Sequence, residues 1–224
     1  MIPKHTPLPA HSVSRLNLCR TTFFLTFSLL IAGGTALRAQ NTPPGANPTS
    51  NPVAGVTASN LVTNGTFETA DPNDPTWAAD WGKMPGITWE TENGKHFLRL
   101  VQQTPGKMLM AYREVPIPAG VKGLEYFVRY RTAGIVLGTS NWFDARTILH
   151  FMDSTRKQVG PDPGALIFSN QASDWTDLHE RFLVPQGAVT LQLLPSLFQV
   201  NAGTLDLAEI RVTPLSDADA ATLK

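Results

Sequence analysis

The sequence predicts an all-β domain, a sandwich or barrel of eight or nine short strands. Three observations carry that expectation. Helical periodicity is nearly absent between residues 60 and 214. Short β-rich runs alternate there with punctuation from the chain's 17 Gly and 18 Pro. Within several runs the apolar side chains fall on every second residue, the period of a pleated strand. The runs lie near 60–68, 86–90, 96–102, 109–115, 124–132, 145–153, 175–184, 189–194 and 204–213.

Residues 1–39 read as an export signal. They carry Lys4, Arg15, Arg20 and Arg38 and no acid, then the apolar run TTFFLTFSLLIAGG, then small Ala39 at a cleavage point. That run is shorter than the roughly 20 residues of a membrane span, so no span is expected after cleavage. Residues 40–59, rich in Pro, Asn, Gly, Ser and Thr, read as a linker. The folded domain is expected over 60–214, with a polar tail over 215–224.

The domain opens on NLVTNGTFE, where Asn64-Gly65 signals a sharp turn and Glu68 follows Phe67. In LEYFVRYRT, Leu124, Tyr126, Val128 and Tyr130 share one side, and Glu125, Phe127, Arg129 and Arg131 the other. In ARTILHFMD, Thr147, Leu149 and Phe151 oppose Arg146, Ile148, His150 and Met152, a mixed face. In TLDLAEIRV the apolar phase shifts by one residue between Leu205/Leu207 and Ile210/Val212, which predicts a bulge beside Asp206 and Glu209.

Charge and cysteine usage exclude several functions. The chain has 18 basic and 18 acidic residues; without the four bases of the leader the net charge is about −4. Nucleic acid is therefore not the expected partner. Cys19 is the only cysteine and lies in the leader, so the mature domain has neither thiol chemistry nor a disulfide. His96, His150 and His179 are scattered over separate runs with no zinc-binding spacing. No nucleophile-elbow, P-loop or dinucleotide fingerprint occurs. The acid pairs Glu90/Glu92 and Asp144/Asp153 are too ordinary to mark a glycosidase.

Three stretches in order, NLVTNGTFE, DWTDLHERFLVPQGAVTLQL and GTLDLAEIRV, resemble the CenC-like carbohydrate-binding modules of the cellulose- and xylan-binding group. The resemblance spans residues 60–213. It implies a jelly-roll β-sandwich of two antiparallel sheets, with a glycan on one concave sheet and a structural calcium on the opposite side. It implies calcium ligands from the opening acid and from a final acidic pair. Here these positions are Glu68 and Glu209, with Ala208 standing where the other acid of the pair belongs. It also implies that Glu68 helps pin the start of the domain to its last strand.

Sugar binding needs flat apolar surfaces for pyranose rings and planar polar groups for hydroxyls. Trp142, in a loop ahead of the mixed 145–153 run, is the first choice for a stacking platform; packing over the sandwich edge is the alternative. Arg129, Arg131 and Arg146, with His150 beside Arg146, are the polar candidates, and three arginines on one sheet would favour an acidic glycan. Internal ion pairs with Asp144 or Glu125 would occupy them instead. Trp175 is expected in the core, Trp77 and Trp81 at a cleft rim or in the core, and Trp89 on either face.

The expected function is an exported, non-catalytic module that binds a polysaccharide or oligosaccharide. It would act in the periplasm, at the cell surface or outside the cell, beside a separate secreted glycan-degrading enzyme. The alternatives are a surface or adhesion module that binds protein, and a small jelly-roll glycoside hydrolase or lyase.

Overall fold

A computed structural model describes residues 59–223, so the leader and almost all of the linker lie outside the described residues. These residues fold as a jelly-roll β-sandwich of two antiparallel five-stranded sheets. In chain order the strands are β1 (Ile87–Glu92), β2 (Lys95–Val101), β3 (Leu109–Met110), β4 (Arg113–Pro116), β5 (Gly123–Val136), β6 (Ala145–Met152), β7 (Leu166–Ile167), β8 (Thr176–Leu183), β9 (Thr190–Leu197) and β10 (Ala202–Pro214). The first sheet runs β1-β2-β10-β5-β8; the second runs β3-β9-β6-β7, with β4 also paired to β9. No described helix is long and apolar enough to cross a membrane.

The local sequence explains these elements. β1 and β2 form a hairpin closed by Asn93-Gly94, both at positive φ (51° and 74°), the pair a tight twisted turn requires. β5 turns Leu124, Tyr126, Val128 and Tyr130 into the core, as its parity predicts. β6 does the same with Ala145, Thr147, Leu149 and Phe151. The sheets meet over a continuous apolar core in which the Tyr126 hydroxyl bonds Thr147 Oγ1 at 3.0 Å. Burial pushes the Tyr126 phenol up, so it stays neutral and can serve as a donor there. The expected bulge is present: β10 shifts register against β5 between Leu207 and Glu209.

Four expectations change. Residues 60–68 form turns rather than a strand, because Asn64 (φ 47°) and Phe67 (φ 59°) break the extended chain. The Asn60 side chain accepts from the Val62 and Val212 amides, and Ile210 N–H donates to Gly65 O at 2.8 Å. Those contacts, rather than Glu68, pin the opening to β10. The single run 109–115 splits into β3 and β4 opposite Pro195 of β9, which has no N–H for the ladder. Residues 215–223 are ordered: Ser216 caps a one-turn helix, α1 (Asp217–Ala220), and Ala220 is buried. The two-residue β7, invisible in the sequence pattern, completes the second sheet.

Candidate functional site

The outer face of the second sheet is the candidate site. Alternation on β6 turns Arg146, Ile148, His150 and Met152 outward. Antiparallel pairing sets Ser196 of β9 opposite Arg146 and Gln192 opposite His150, and β4 adds Glu114 beside Gln192. Two polar groups result, about 13 Å apart along β6 at the usual rise per residue.

The first is an aromatic end. Trp142 is 52% exposed, its ring edge-on to Phe143 at 4.3 Å and tilted against Phe198 at 5.8 Å. Arg146 holds this corner together. Its Nε donates to the buried carboxylate of Asp144, its Nη2 donates to Trp142 O, and its guanidinium lies 5.5 Å from the Phe198 ring. Arg146 therefore fixes the Trp142 loop, and its planar group is largely committed to that task.

The second is a hydrogen-bonded polar end. His150 Nδ1 lies 2.7 Å from Asp162 Oδ2, while Asp162 Oδ1 accepts from the Phe151 amide at 3.1 Å. The Tyr112 hydroxyl donates to Glu114 Oε1 at 2.6 Å and accepts from Gln192 Nε2 at 3.1 Å, and Arg156 also donates to Glu114. The Tyr112 bond is the main cause of a lowered Glu114 pKa. Burial, then Glu114, raises the Tyr112 phenol, so the hydroxyl keeps its proton. Sequence reasoning missed Tyr112, Glu114, Gln192 and Asp162. Register sets Glu114 of β4 and Gln192 of β9 near His150, Tyr112 sits in the link between β3 and β4, and the loop after β6 returns Asp162 to His150 and the Phe151 amide.

Arg129 and Arg131 lie elsewhere, on the outer face of the first sheet, so the three arginines do not share one surface. Arg131 donates to the buried carboxylate of Asp206 at 2.7 Å and to Glu92 at 2.9 Å. Arg99 grips Asp206 with two bonds of 2.8 Å. Arg129 approaches Asp177 only to 3.7 Å. Trp175 is not in the core; it is half-buried on this face, 4.4 Å from the Arg131 guanidinium, and its Nε1 donates to Glu92 at 3.3 Å. Trp77 and Trp81 are core residues, and Trp89 packs against the core with its ring stacked on His96 at 4.3 Å.

Glu68 and Glu209 do line one cavity, which also receives Ala208. Each carboxylate already has a basic neighbour: Glu68 meets His96 Nδ1 at 3.0 Å, and Glu209 accepts from Arg211. The His96 bond is the main cause of a lowered Glu68 pKa. Among the described residues no group of three or more His, Cys, Asp and Glu side chains is arranged for a metal. Two carboxylates, each bonded to a protein side chain, offer at most four of the six to eight oxygens of a calcium site.

No family model and no curated protein matches the sequence. Solved structures do match in fold. The enzymatically active domain of tailspike protein 4 from bacteriophage CBA120 aligns with a TM-score of 0.51 at 12% identity, over 70% of this chain and 21% of that one. The chain thus spans about a fifth of the tailspike structure's length. The CBM22-1 xylan-binding domain from Paenibacillus barcinonensis aligns with a TM-score of 0.44 at 16% identity, over 71% of this chain and 96% of that one. A CBM61 module in complex with β-1,4-galactotriose aligns with a TM-score of 0.44 at 10% identity, over 70% of this chain and all of that one. These likenesses are of fold.

Proposed function

We propose that this protein is an exported, non-catalytic carbohydrate-binding module of the CenC-like kind, and that the outer face of its second sheet holds a polysaccharide. One observation carries the reading. Trp142 keeps half its surface in water although Phe143, Phe198 and the Arg146–Asp144 pair fix its position. A large aromatic ring held rigid and left exposed offers a flat surface for a pyranose ring at little entropic cost. Beyond it, Gln192, His150, Tyr112 and Glu114 present planar donors and acceptors for sugar hydroxyls.

The other half of the proposal is context. The basic leader and linker would carry the domain out of the cytoplasm, where it would keep a separate glycan-degrading enzyme close to its substrate. The carboxylates of this face, Glu114 and Asp162, are each engaged by neighbouring side chains, which favours binding over hydrolysis. Retardation of the protein in native gels containing plant, algal or bacterial polysaccharides tests the reading, alongside a reducing-sugar assay on the retained polymer. Retardation without sugar release is the expected result. Sugar release, or no retardation by any polymer, contradicts it.

A further inference from the structure

The cavity that receives Glu68 and Glu209 lies on the other sheet, and glycan binding on the Trp142 face leaves it unused. Its volume is about 430 Å³, within the roughly 300–1,000 Å³ range of small-ligand sites. The opening loop, the β1–β2 hairpin, β5, the residue ahead of β8 and the β10 bulge all contribute to its walls. The bulge matters for its shape. The register shift at Leu207/Glu209 sets Glu209 opposite Arg129 and leaves the small side chain of Ala208 in the wall.

The charges around this cavity are unequally committed. Glu68 is bonded to His96, Glu92 to Arg131, and Glu209 to Arg211. The cations are looser: the side chain of Lys95 is 83% exposed and 4.0 Å from its nearest carboxylate. The Arg129 side chain is 48% exposed, 3.7 Å from Asp177 and with no side-chain hydrogen bond among the described residues. The charges without a close partner are therefore positive. The same cavity has an aromatic wall. Trp175 lines the cavity, and its ring is fixed by the Arg131 guanidinium at 4.4 Å and by the edge of Phe97 at 5.6 Å.

We propose that this cavity is a second ligand site, which takes one carboxylate-bearing sugar residue of the uronic acid class. Its carboxylate pairs with Arg129 and Lys95, and its ring lies against Trp175. Glu92 and Glu209 keep acceptor lone pairs for its hydroxyls. A planar guanidinium meets a carboxylate in two parallel charge-assisted bonds, whereas a neutral hexose offers it only uncharged hydroxyls. The inference rests on the glycan-binding reading for the class of ligand, but not on the Trp142 face. With both sites filled, the module would bridge two chains, or two stretches of one chain, on opposite sides of the sandwich.

The test is a titration of the isotopically labelled full chain with glucuronate and galacturonate, observed at the Trp175 indole N–H. Glucose, galactose and acetate serve as controls. The expected result is a saturable shift with the uronates, weakened several-fold by raising salt from low to high concentration. Arg129→Gln is expected to weaken the binding about tenfold, as loss of a charge-assisted bond does. Ala208→Leu, which fills the cavity without altering charge, is expected to abolish it, while Trp142→Ala leaves it intact. A response to acetate equal to that with uronate overturns the sugar class. Equal binding of glucose overturns the role of the cations. No response at Trp175, or full uronate binding by a folded Ala208→Leu protein, overturns the site. Loss of polysaccharide retardation in Trp142→Ala with uronate binding unaffected separates the two sites; failure of retardation alone refutes the Trp142 reading and leaves this one standing.

Discussion

Asp206 is 2% exposed, and three hydrogen bonds from Arg99 and Arg131 answer its charge. Removing that carboxylate strands two guanidinium groups on the first sheet, one of which also steadies Trp175 and Glu92. Asp206→Ala is expected to cost about 2–4 kcal/mol, read from the denaturant midpoint, since breaking a buried pair on one side leaves uncompensated charge. Gly65 poses a different constraint. A Cβ there would stand 2.1 Å from Ile210 O, a backbone atom held by its neighbours, and Ile210 N–H itself donates to Gly65 O. Gly65→Ala is expected to destabilise by about 2 kcal/mol or more, through forced separation of the opening turn from β10. A wild-type melting curve for either variant refutes the corresponding contact. Neither role could be read locally. Asp206 is one of 18 acids, and its partners lie 107 and 75 residues away. Parity told that Arg131 points outward, not that the outward side of that sheet is an ion-pair lattice.

At the scale of elements, the β1–β2 hairpin depends on its turn. Gly94 sits at φ 74° with open space around it, so Gly94→Ala is penalised by backbone strain alone, roughly 1–2 kcal/mol. Its melting temperature is expected to fall while polysaccharide retardation, which depends on the other sheet, is unchanged. Loss of both would mean that the two faces are coupled. The strands rich in alternation were legible: β5, β6 and the phase shift of β10 follow from parity, because one buried face per sheet imposes period two. The opening segment was not, since Leu61 and Val62 look strand-like while its shape is set by distant bonds to β10. The tail was also illegible: four residues of helix gain their order from the Ser216 cap and from packing Ala220 against Gly123.

The whole molecule carries its acid sensitivity in surface carboxylates. Glu68, Glu92, Glu114 and Asp153 are all held below their ordinary range, chiefly by bonds from His96, Arg131, Tyr112 and Thr155 respectively. Asp74 is lowered to about 2 by Lys83, then Thr76. A carboxylate with a depressed folded pKa stabilises the fold fully above its unfolded value, and that contribution is lost as pH falls through the folded value. Melting temperature is therefore expected to hold from neutral pH down to the ordinary carboxylate range and to fall progressively below about pH 4.5. A plateau or rise below pH 4 contradicts this. As for the candidate site, Arg146 meets Trp142 at one end of the second sheet, while His150 shares that outer face about 13 Å further along β6. Arg129 and Arg131 belong to the opposite sheet, a split that sequence parity cannot reveal, since it assigns faces within a strand and not between sheets.

The central claim is that the exposed ring of Trp142 binds glycan rather than supporting the fold. Affinity electrophoresis of the protein and its Trp142→Ala variant, beside thermal melts of both, tests it most directly. The account predicts that retardation is lost in the variant while the fold persists and stability falls by no more than about 2 kcal/mol, the scale of its contacts with Phe143 and Phe198. Retardation that survives the substitution, or a variant that binds less only because it has unfolded, contradicts the account.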